Sequence, residues 1–501
     1  MKRLKPMDAA WLYVDTVDTP MQVACMAIFS IPDDAPEGFL RSLVAQMRTV
    51  QTFASPFNLK LHSPKAKAFV PAWVEDNRID LDYHLRHSAL PAPGGERELG
   101  ILVSRLHSHP LDFNRPLWEM HVIEGLEGLP NGRGDMPSRR RFALYLKMHH
   151  SLVDGVGGMR MLQRMLSADP KSVSLSPPWA VGSGAGRLSG GKRAKSPTEQ
   201  LQVLAEAARA QWETAPTVAK ALGHVLRNSL RAGDPAEGMP FSGPRSALNA
   251  KVSAQRRFAT QHYSLERVRA VAKAADVSIN DVFLGLCASA LRRYLVEINA
   301  LPDKPLTAGV PVSVRPADDQ NAGNAISFII ANLNTHLGDP LQRLRAIRES
   351  TQIAKEHLQA LPKAGIDSYT MLYMAPFILQ LIAGLGGKLR PMFNVTISNV
   401  PGPDRTLYFN GARMEQIYPV SLLMHGQALN ITSVSYAGQF NIGFTGCRDA
   451  LPSVQRMAVH TGEALEELEA LLGLAKAGGL SNVPKAAKKT TKSAGRRRAA
   501  G

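Results

Sequence analysis

The sequence predicts an α/β (α+β) protein of two halves, each a mixed sheet with helices, joined by a long crossing linker. Three observations carry that prediction. The chain of 501 residues exceeds what one hydrophobic core holds. Strand-like and helix-like apolar periods are interleaved in both halves instead of being segregated. Between the halves runs "SLSPPWAVGSGAGRLSGGKRAKSP", a Gly-, Ser- and Pro-rich stretch from Ser174 that offers nothing to build a core from. The resulting divisions are a first half over 1–173, a flexible linker with a connecting helix over 174–240, a second half over 241–474, and a disordered basic tail over 475–501.

In the first half, "MQVACMAIFSI" is apolar on both faces, as a buried strand is. "LWEMHVIEGL" sets Trp118, Met120 and Val122 against Glu119 and His121, the alternation of a half-buried strand. "RFALYLKMHH" reads as a strand closed by His149 and His150. Past Asp154, residues Met159, Leu162, Met165 and Leu166 recur at helical spacing, so the stretch "HHSLVDG" lies on a strand-to-helix turn. A helical region is predicted over 198–232. In the second half, "LERVRAVAKAADVSINDVFLGLCASALRRYLVEI" reads as two helices broken near Ser278 to Asp281, with Ser278 or Asn280 as the cap of the second. "TAGVPVSV", "ISFIIANLN", "FNVTISNV" and "LNITSVSYAGQFNIGFTG" read as strands, and "RMAVHTGEALEELEALLGLA" as a final helix.

An apolar fraction of 45% with 20% charged residues is an ordinary folded balance. The net charge of +17 is unevenly placed, with eight basic and no acidic residues from Lys476 onward. Such an arm solubilises or binds an anionic surface. It lacks the aromatics that stack on bases, so a nucleic-acid partner is not expected. Cys25, Cys287 and Cys447 are scattered among apolar neighbours, as reduced core residues in a reducing cytosol are. The N-terminus starts basic but meets Asp8 and Asp15 before any long apolar run, which is not the pattern of a signal peptide. "MLYMAPFILQLIAGLGG", from Met371 to Gly387, falls short of the roughly 20 apolar residues of a span and is interrupted by Pro376 and Gln380. It reads as a buried or interface-dipping helix.

The chemistry centres on the adjacent histidines. Neighbours on a strand point to opposite faces, no third ligand lies nearby, and no Cys pair supports zinc, so no metal is expected. A neutral imidazole with a reference pKa of about 6.5 suits a general base near neutral pH. Two satisfied core histidines are the plainer alternative; with no Gly-x-Ser-x-Gly elbow present, a base here allows direct transfer from an activated acyl donor to an acceptor hydroxyl or amine.

His-His-x-x-x-Asp-Gly resembles the signature of the coenzyme-A-dependent acyltransferase superfamily that includes chloramphenicol acetyltransferase and nonribosomal peptide condensation domains. More narrowly, the chain is similar from about Leu4 to Leu472 to the bacterial wax ester synthase/diacylglycerol acyltransferase family. "DAAWLYVDTVDTPMQVACMAIF", "RPLWEMHVIEGL", "MHHSLVDGVGG", "SINDVFLGLCASALRRYL", "GVPVSVR", "NVTISNVPGP" and "YPVSLLMHGQALNITSVSYAG" carry the resemblance. It implies two chloramphenicol-acetyltransferase-like domains with a tunnel at their interface. It also implies a long-chain acyl-CoA donor, a fatty alcohol or diacylglycerol acceptor, and no cofactor. By the same motifs, His150 is the base and His149 its neighbour. Asp154 holds the loop, and Gly155 permits the turn. Pro116, Leu117 and Trp118, with Asn280 and Asp281, shape or brace the site; Asn280 fits a helix cap equally well. Arg315 is the expected partner of Asp154. Thr396, Ser398 and Thr432, polar residues in apolar blocks, are candidate oxyanion donors. A condensation-type enzyme and an idle lipid-binding protein are the alternatives. The chain leaves no room for a carrier domain, and the presence of both His150 and Asp154 speaks against a decayed site. Insoluble products imply work at a membrane or lipid-droplet surface, reached through 371–387 and the tail, by a cytoplasmic protein at the inner membrane face or on lipid inclusions.

Overall fold

The computed structural model describes residues 2–4, 6–66, 71–127, 140–173, 175–183, 238–313, 326–360, 374, 376–378 and 380–474. Most of the linker, Arg315 and the basic tail lie outside them. So does the helix expected over 198–232.

Each half is built on a six-stranded mixed sheet. The second runs Ile326–Asn332, Thr307–Ser313, Val395–Val400, Leu429–Tyr436, Gln439–Cys447, Arg256–Ser264, with Val395–Val400 parallel to both of its neighbours. Leu429–Tyr436 and Gln439–Cys447 form a hairpin whose two turn residues, Ala437 and Gly438, both have positive φ (44° and 80°). That backbone matches the twist of the strands it joins. Helices Leu265–Ala274, Ile279–Glu297, Pro340–Gln359 and Val454–Leu471 cover this sheet and bury its main core, with Val282, Leu286, Ile397 and Ile431 among its members.

The first sheet runs Tyr408–Phe409, Ala412–Val420, Gln22–Ser30, Arg141–His149, Trp118–Leu126, Leu85–Ala89. Its first two strands come from the second half of the chain. The division at 241 therefore does not describe the sheets. A hairpin turning on Asn410 and Gly411 (φ 48° and 80°) crosses over and pairs Ala412–Val420 antiparallel to Gln22–Ser30. The crossing demands a glycine at the seam, because a Cβ on Gly443 would lie 2.0 Å from the Pro419 carbonyl oxygen. On the other side of the seam, helix Glu96–Ser108 lies along the edge strand Arg256–Ser264. Ser104 and Ser108 hydroxyls accept the Phe258 and Arg256 N–H groups, both at 2.9 Å. An edge that would otherwise present bare donors is thus covered.

Two further expectations are corrected. Trp118–Leu126 is not half-buried: Glu119 and His121 are 6% and 1% exposed. Their face is closed by helix Glu96–Ser108, and the charge is met by Lys147, wholly buried, whose Nζ stands 3.1 Å from Glu119 Oε2. The same ammonium donates to the Leu106 and His109 carbonyls at 3.1 and 3.0 Å. Burial alone would raise the Glu119 carboxyl, but the His121 ring and the Lys147 and Arg86 cations outweigh it and hold it at about 2. The linker also begins later than its composition suggests. Pro178–Val181 is a short helix whose Trp179 is fully buried, stacked on Trp118 at 5.6 Å. One large aromatic side chain is enough to fasten a Pro-rich segment.

Removing one member of a buried ion pair leaves the other charge without its partner, at a cost of about 3–5 kcal/mol. Lys147→Met is expected to lose that much in urea denaturation, and Lys147→Met with Glu119→Leu to recover most of it. A single variant as stable as the parent contradicts this role for the pair.

Candidate active site

The strand Arg141–His149 ends where its two neighbours begin, and the last amides are tied to the residues just before them. His149 N–H donates to Leu117 O at 3.0 Å, and His150 N–H donates to Met21 O at 2.8 Å. The chain then turns, with Leu152 N–H closing onto His149 O, and enters helix Gly155–Met165. Asp154 caps that helix, its Oδ1 accepting the Gly157 N–H at 2.6 Å. The glycine the cap needs is Gly157, where a Cβ would lie 2.9 Å from Asp154 Oδ1. Gly155, expected to permit the turn, has no left-handed φ; a Cβ there would meet Val400 Cγ2 of the second half at 3.4 Å.

The two histidines are held differently. His149 is 2% exposed, and its Nδ1 accepts the Ser151 N–H at 3.2 Å and lies 2.7 Å from Ser151 Oγ. That network assigns the ring proton to Nε2, which faces Asp15 Oδ2 at 3.5 Å. His150 is half-buried, and the Trp11 ring stacks on it with centroids 4.2 Å apart at 28°. Its Nδ1 is buried without a hydrogen-bond partner among the described residues. Burial drives the His150 imidazole down to about 4, helped by His149 and opposed by its own backbone carbonyl and the Asp154 carboxylate. The ring is accordingly uncharged at neutral pH, with a lone pair to offer.

Leu117 and Trp118 brace this turn. Leu117 supplies the carbonyl for His149, and Trp118 anchors the neighbouring strand by donating Nε1–H to Phe57 O at 2.9 Å and stacking on His84 at 4.4 Å. Asn280 and Asp281 do not join it. Ser278 caps helix Ile279–Glu297 in a reciprocal box with Asp281, and the Thr351 hydroxyl donates to the other Asp281 oxygen at 2.7 Å. These bonds brace the helical layer of the second half, with Asn280 in the first turn of the helix.

Thr396, Ser398 and Val400 share one face of their strand, and the intervening Ile397 is buried in the second core. Val400 packs against the first core, so this face looks across the seam towards the histidine turn. Ser398 is beside Thr432 in register. Thr396 donates to Gln427 Oε1 at 3.3 Å and Thr432 to Asn430 Oδ1 at 2.9 Å, which commits both protons. The Ser398 hydroxyl has no hydrogen-bond partner among the described residues. Sequence reasoning missed Trp11 and Asp15, which lie inside the N-terminal family-like block but carry no chemical signature of their own.

Two mixed-sheet lobes with an uncharged histidine turn at their seam define a class of two-lobed α/β proteins able to accept a proton there. Comparison with known proteins narrows the class. Residues 4–283 match the wax ester synthase/diacylglycerol acyltransferase catalytic domain, and residues 322–469 match the C-terminal domain of the same proteins. The chain belongs to the wax ester synthase/diacylglycerol acyltransferase family. It is 42% identical to a putative diacylglycerol O-acyltransferase of Mycobacterium tuberculosis, over 95% of this chain and 98% of that one. It is 41% identical to the O-acyltransferase WSD of Acinetobacter baylyi, over 94% and 98%. Among solved structures it resembles the wax ester synthase/diacylglycerol acyltransferase of Marinobacter aquaeolei VT8, with a TM-score of 0.72 at 39% identity over 94% and 100% of the two chains. A condensation domain of the calcium-dependent antibiotic synthetase shares the fold, with a TM-score of 0.55 at 15% identity over 96% and 99%.

Replacing an N-cap carboxylate by alanine costs about 1 kcal/mol. Asp154→Ala is expected to lose that much in urea denaturation and Asp154→Asn only a few tenths. Equal midpoints for the alanine variant and the parent would show that the cap holds nothing.

Proposed function

We propose that the chain transfers a long-chain acyl group from acyl-CoA to the hydroxyl of a fatty alcohol or diacylglycerol, with His150 as the general base. The observation that carries this reading is an imidazole, neutral at physiological pH, at the seam where two lobes meet. His150 takes the proton of the acceptor hydroxyl as its oxygen attacks the thioester carbonyl. The C–O bond forms, the C–S bond breaks, and coenzyme A leaves as a thiolate that collects the proton from His150. Charge developing on the carbonyl oxygen needs a donor. Ser398 is the one of the three candidate hydroxyls without an acceptor among the described residues. No metal or cofactor enters the scheme. A dry channel between the lobes, which keeps water from the thioester, is part of the same proposal.

Contact with lipid is proposed through the segment around residues 374–390. Phe377 is buried, whereas Ile382, Leu385 and Leu389 are 56%, 38% and 46% exposed, with Lys388 and Arg390 among them. Apolar side chains inserting beside cations that meet anionic headgroups account for that pattern, each cation contributing about 1 kcal/mol. No single helix among the described residues is long and apolar enough to cross a membrane. A peripheral position on the inner membrane face or on lipid inclusions, with the basic tail adding charge, completes the reading.

Thiol release from palmitoyl-CoA with hexadecanol or a diacylglycerol tests the chemistry, and equal concentrations of the two rank the acceptors. His150→Ala is expected to lower turnover by about two to four orders of magnitude and Ser398→Ala by about two to three, both folded. Near-parental turnover in the histidine variant ends the proposed mechanism. For the surface, Leu385→Glu with Leu389→Glu should abolish flotation with anionic liposomes, and deletion of 475–501 should weaken it at low salt. Unchanged flotation of both proteins rejects the lipid contact.

A further inference from the structure

The N-terminal helix Pro6–Val14 and the turn after it do more than complete the first half. Leu12, fully buried, anchors the helix on Leu59, Leu61, Trp73, Leu111 and Leu117, a small core separate from the main ones. One residue earlier, Trp11 lays its ring over His150. Three residues after Leu12, Asp15 places a carboxylate that is 6% exposed beside His149. Its Oδ2 accepts the Met21 N–H at 2.8 Å and faces His149 Nε2 at 3.5 Å. Met21 in turn gives its carbonyl to the His150 N–H at 2.8 Å. The intervening loop is closed on itself, with Thr16 and Thr19 hydroxyls 2.7 Å apart and the Thr19 N–H donated to Thr16 Oγ1 at 3.1 Å.

We propose that Trp11 and Asp15 are the positioning residues of the histidine pair, Trp11 fixing the plane of the His150 ring and keeping water from it, Asp15 fixing His149 and the Met21 carbonyl. The inference rests on His150 being the base. A stacked indole limits the ring's rotation while leaving its edge open to an acceptor. A buried carboxylate is acceptor-only, so it takes the Met21 N–H while its charge faces His149 Nε2 at 3.5 Å. Asparagine can keep the Met21 bond through its carbonyl oxygen but removes the negative charge that faces His149. The ionisable groups around His150 are few. Asp154 and His149 flank it in the turn, Asp15 stands behind His149, and Asp8 is one turn before Trp11 on the same helix; the facing strand Val395–Val400 carries none.

The sign of the Trp11 effect follows from that setting. Taking away the indole lets water reach the ring, which favours the imidazolium and moves its titration up from about 4 towards its ordinary value. With a pKa of about 6.5, only about one ring in ten is neutral at pH 5.5.

The test follows kcat and KM between pH 5 and 8 with palmitoyl-CoA and hexadecanol. The parent and Trp11→Phe are expected to hold their turnover from pH 8 to 5.5, whereas Trp11→Ala falls about tenfold over that interval. Asp15→Asn should lower kcat at every pH with KM unchanged. Should Trp11→Ala not fold, as judged by circular dichroism and melting, Trp11→Leu is read by the same criterion. A folded variant lacking the indole, with the parental pH profile and parental kcat, overturns the inference for Trp11, and an Asp15→Asn enzyme of parental kcat overturns it for Asp15. His150→Ala assayed alongside separates the two levels: an active His150→Ala enzyme refutes the base, whereas an inactive one beside unaffected Trp11 and Asp15 variants refutes only the clamp.

Discussion

Everything at the site depends on two consecutive amides finding carbonyls on opposite sides of their strand. His149 is tied to Leu117, where the neighbouring strand begins, and His150 to Met21, just before the strand on the other side. The neighbouring strands begin at Trp118 and Gln22, so beyond these two amides no strand is left to pair with and the chain turns. His149 then continues the inward alternation of Tyr145 and Lys147, while His150 stands at the end of the sheet. The helix that follows starts on Asp154, whose carboxylate accepts one of the first amides that a helix leaves without acceptors.

That turn is useful only because another part of the chain faces it. The hairpin Tyr408–Val420 leaves the second half and extends the first sheet, so the two halves cannot separate without tearing Ala412–Val420 from Gln22–Ser30. Covalent connection and strand pairing both hold the seam closed. The strand Val395–Val400 comes just before that hairpin, and its outward face is thereby set against the first helical turn after Asp154. Beneath the histidine strand, Lys147 and Glu119 form a buried charged layer fully supplied with partners. Burying charge is costly unless every group is answered, and here one ammonium meets a carboxylate and two helix-end carbonyls.

Much of the fold is legible in the amino-acid sequence. The strand-to-helix turn at the histidines, the two helices broken at Ser278 and five of the six strands of the second sheet, all but Arg256–Ser264, follow from local periods, because each is decided by residues within one or two turns of one another. The crossing strand is not legible. A bulge between Met414 and Gln416 breaks its alternation, and Pro419 argues against a central strand. Proline is tolerated there because the outer neighbour pairs only with Ala412 and Arg413, leaving that side open. The Asn410-Gly411 dipeptide is the available signal for the hairpin. Glu119 and His121 mislead for the opposite reason: their alternation is real, but a helix covers the polar face.

The sequence by itself determined the chemistry of the turn, an imidazole pair followed by a capping aspartate, and the class of fold that presents it. Such features are written in short spacings, where sterics and backbone hydrogen bonding act. Only the tertiary structure decided which sheet the crossing hairpin joins, that Lys147 answers Glu119, and that Trp11 and Asp15 reach the histidines from over a hundred residues away. Contacts between distant segments depend on how whole elements pack, and packing leaves no period in the chain to be read.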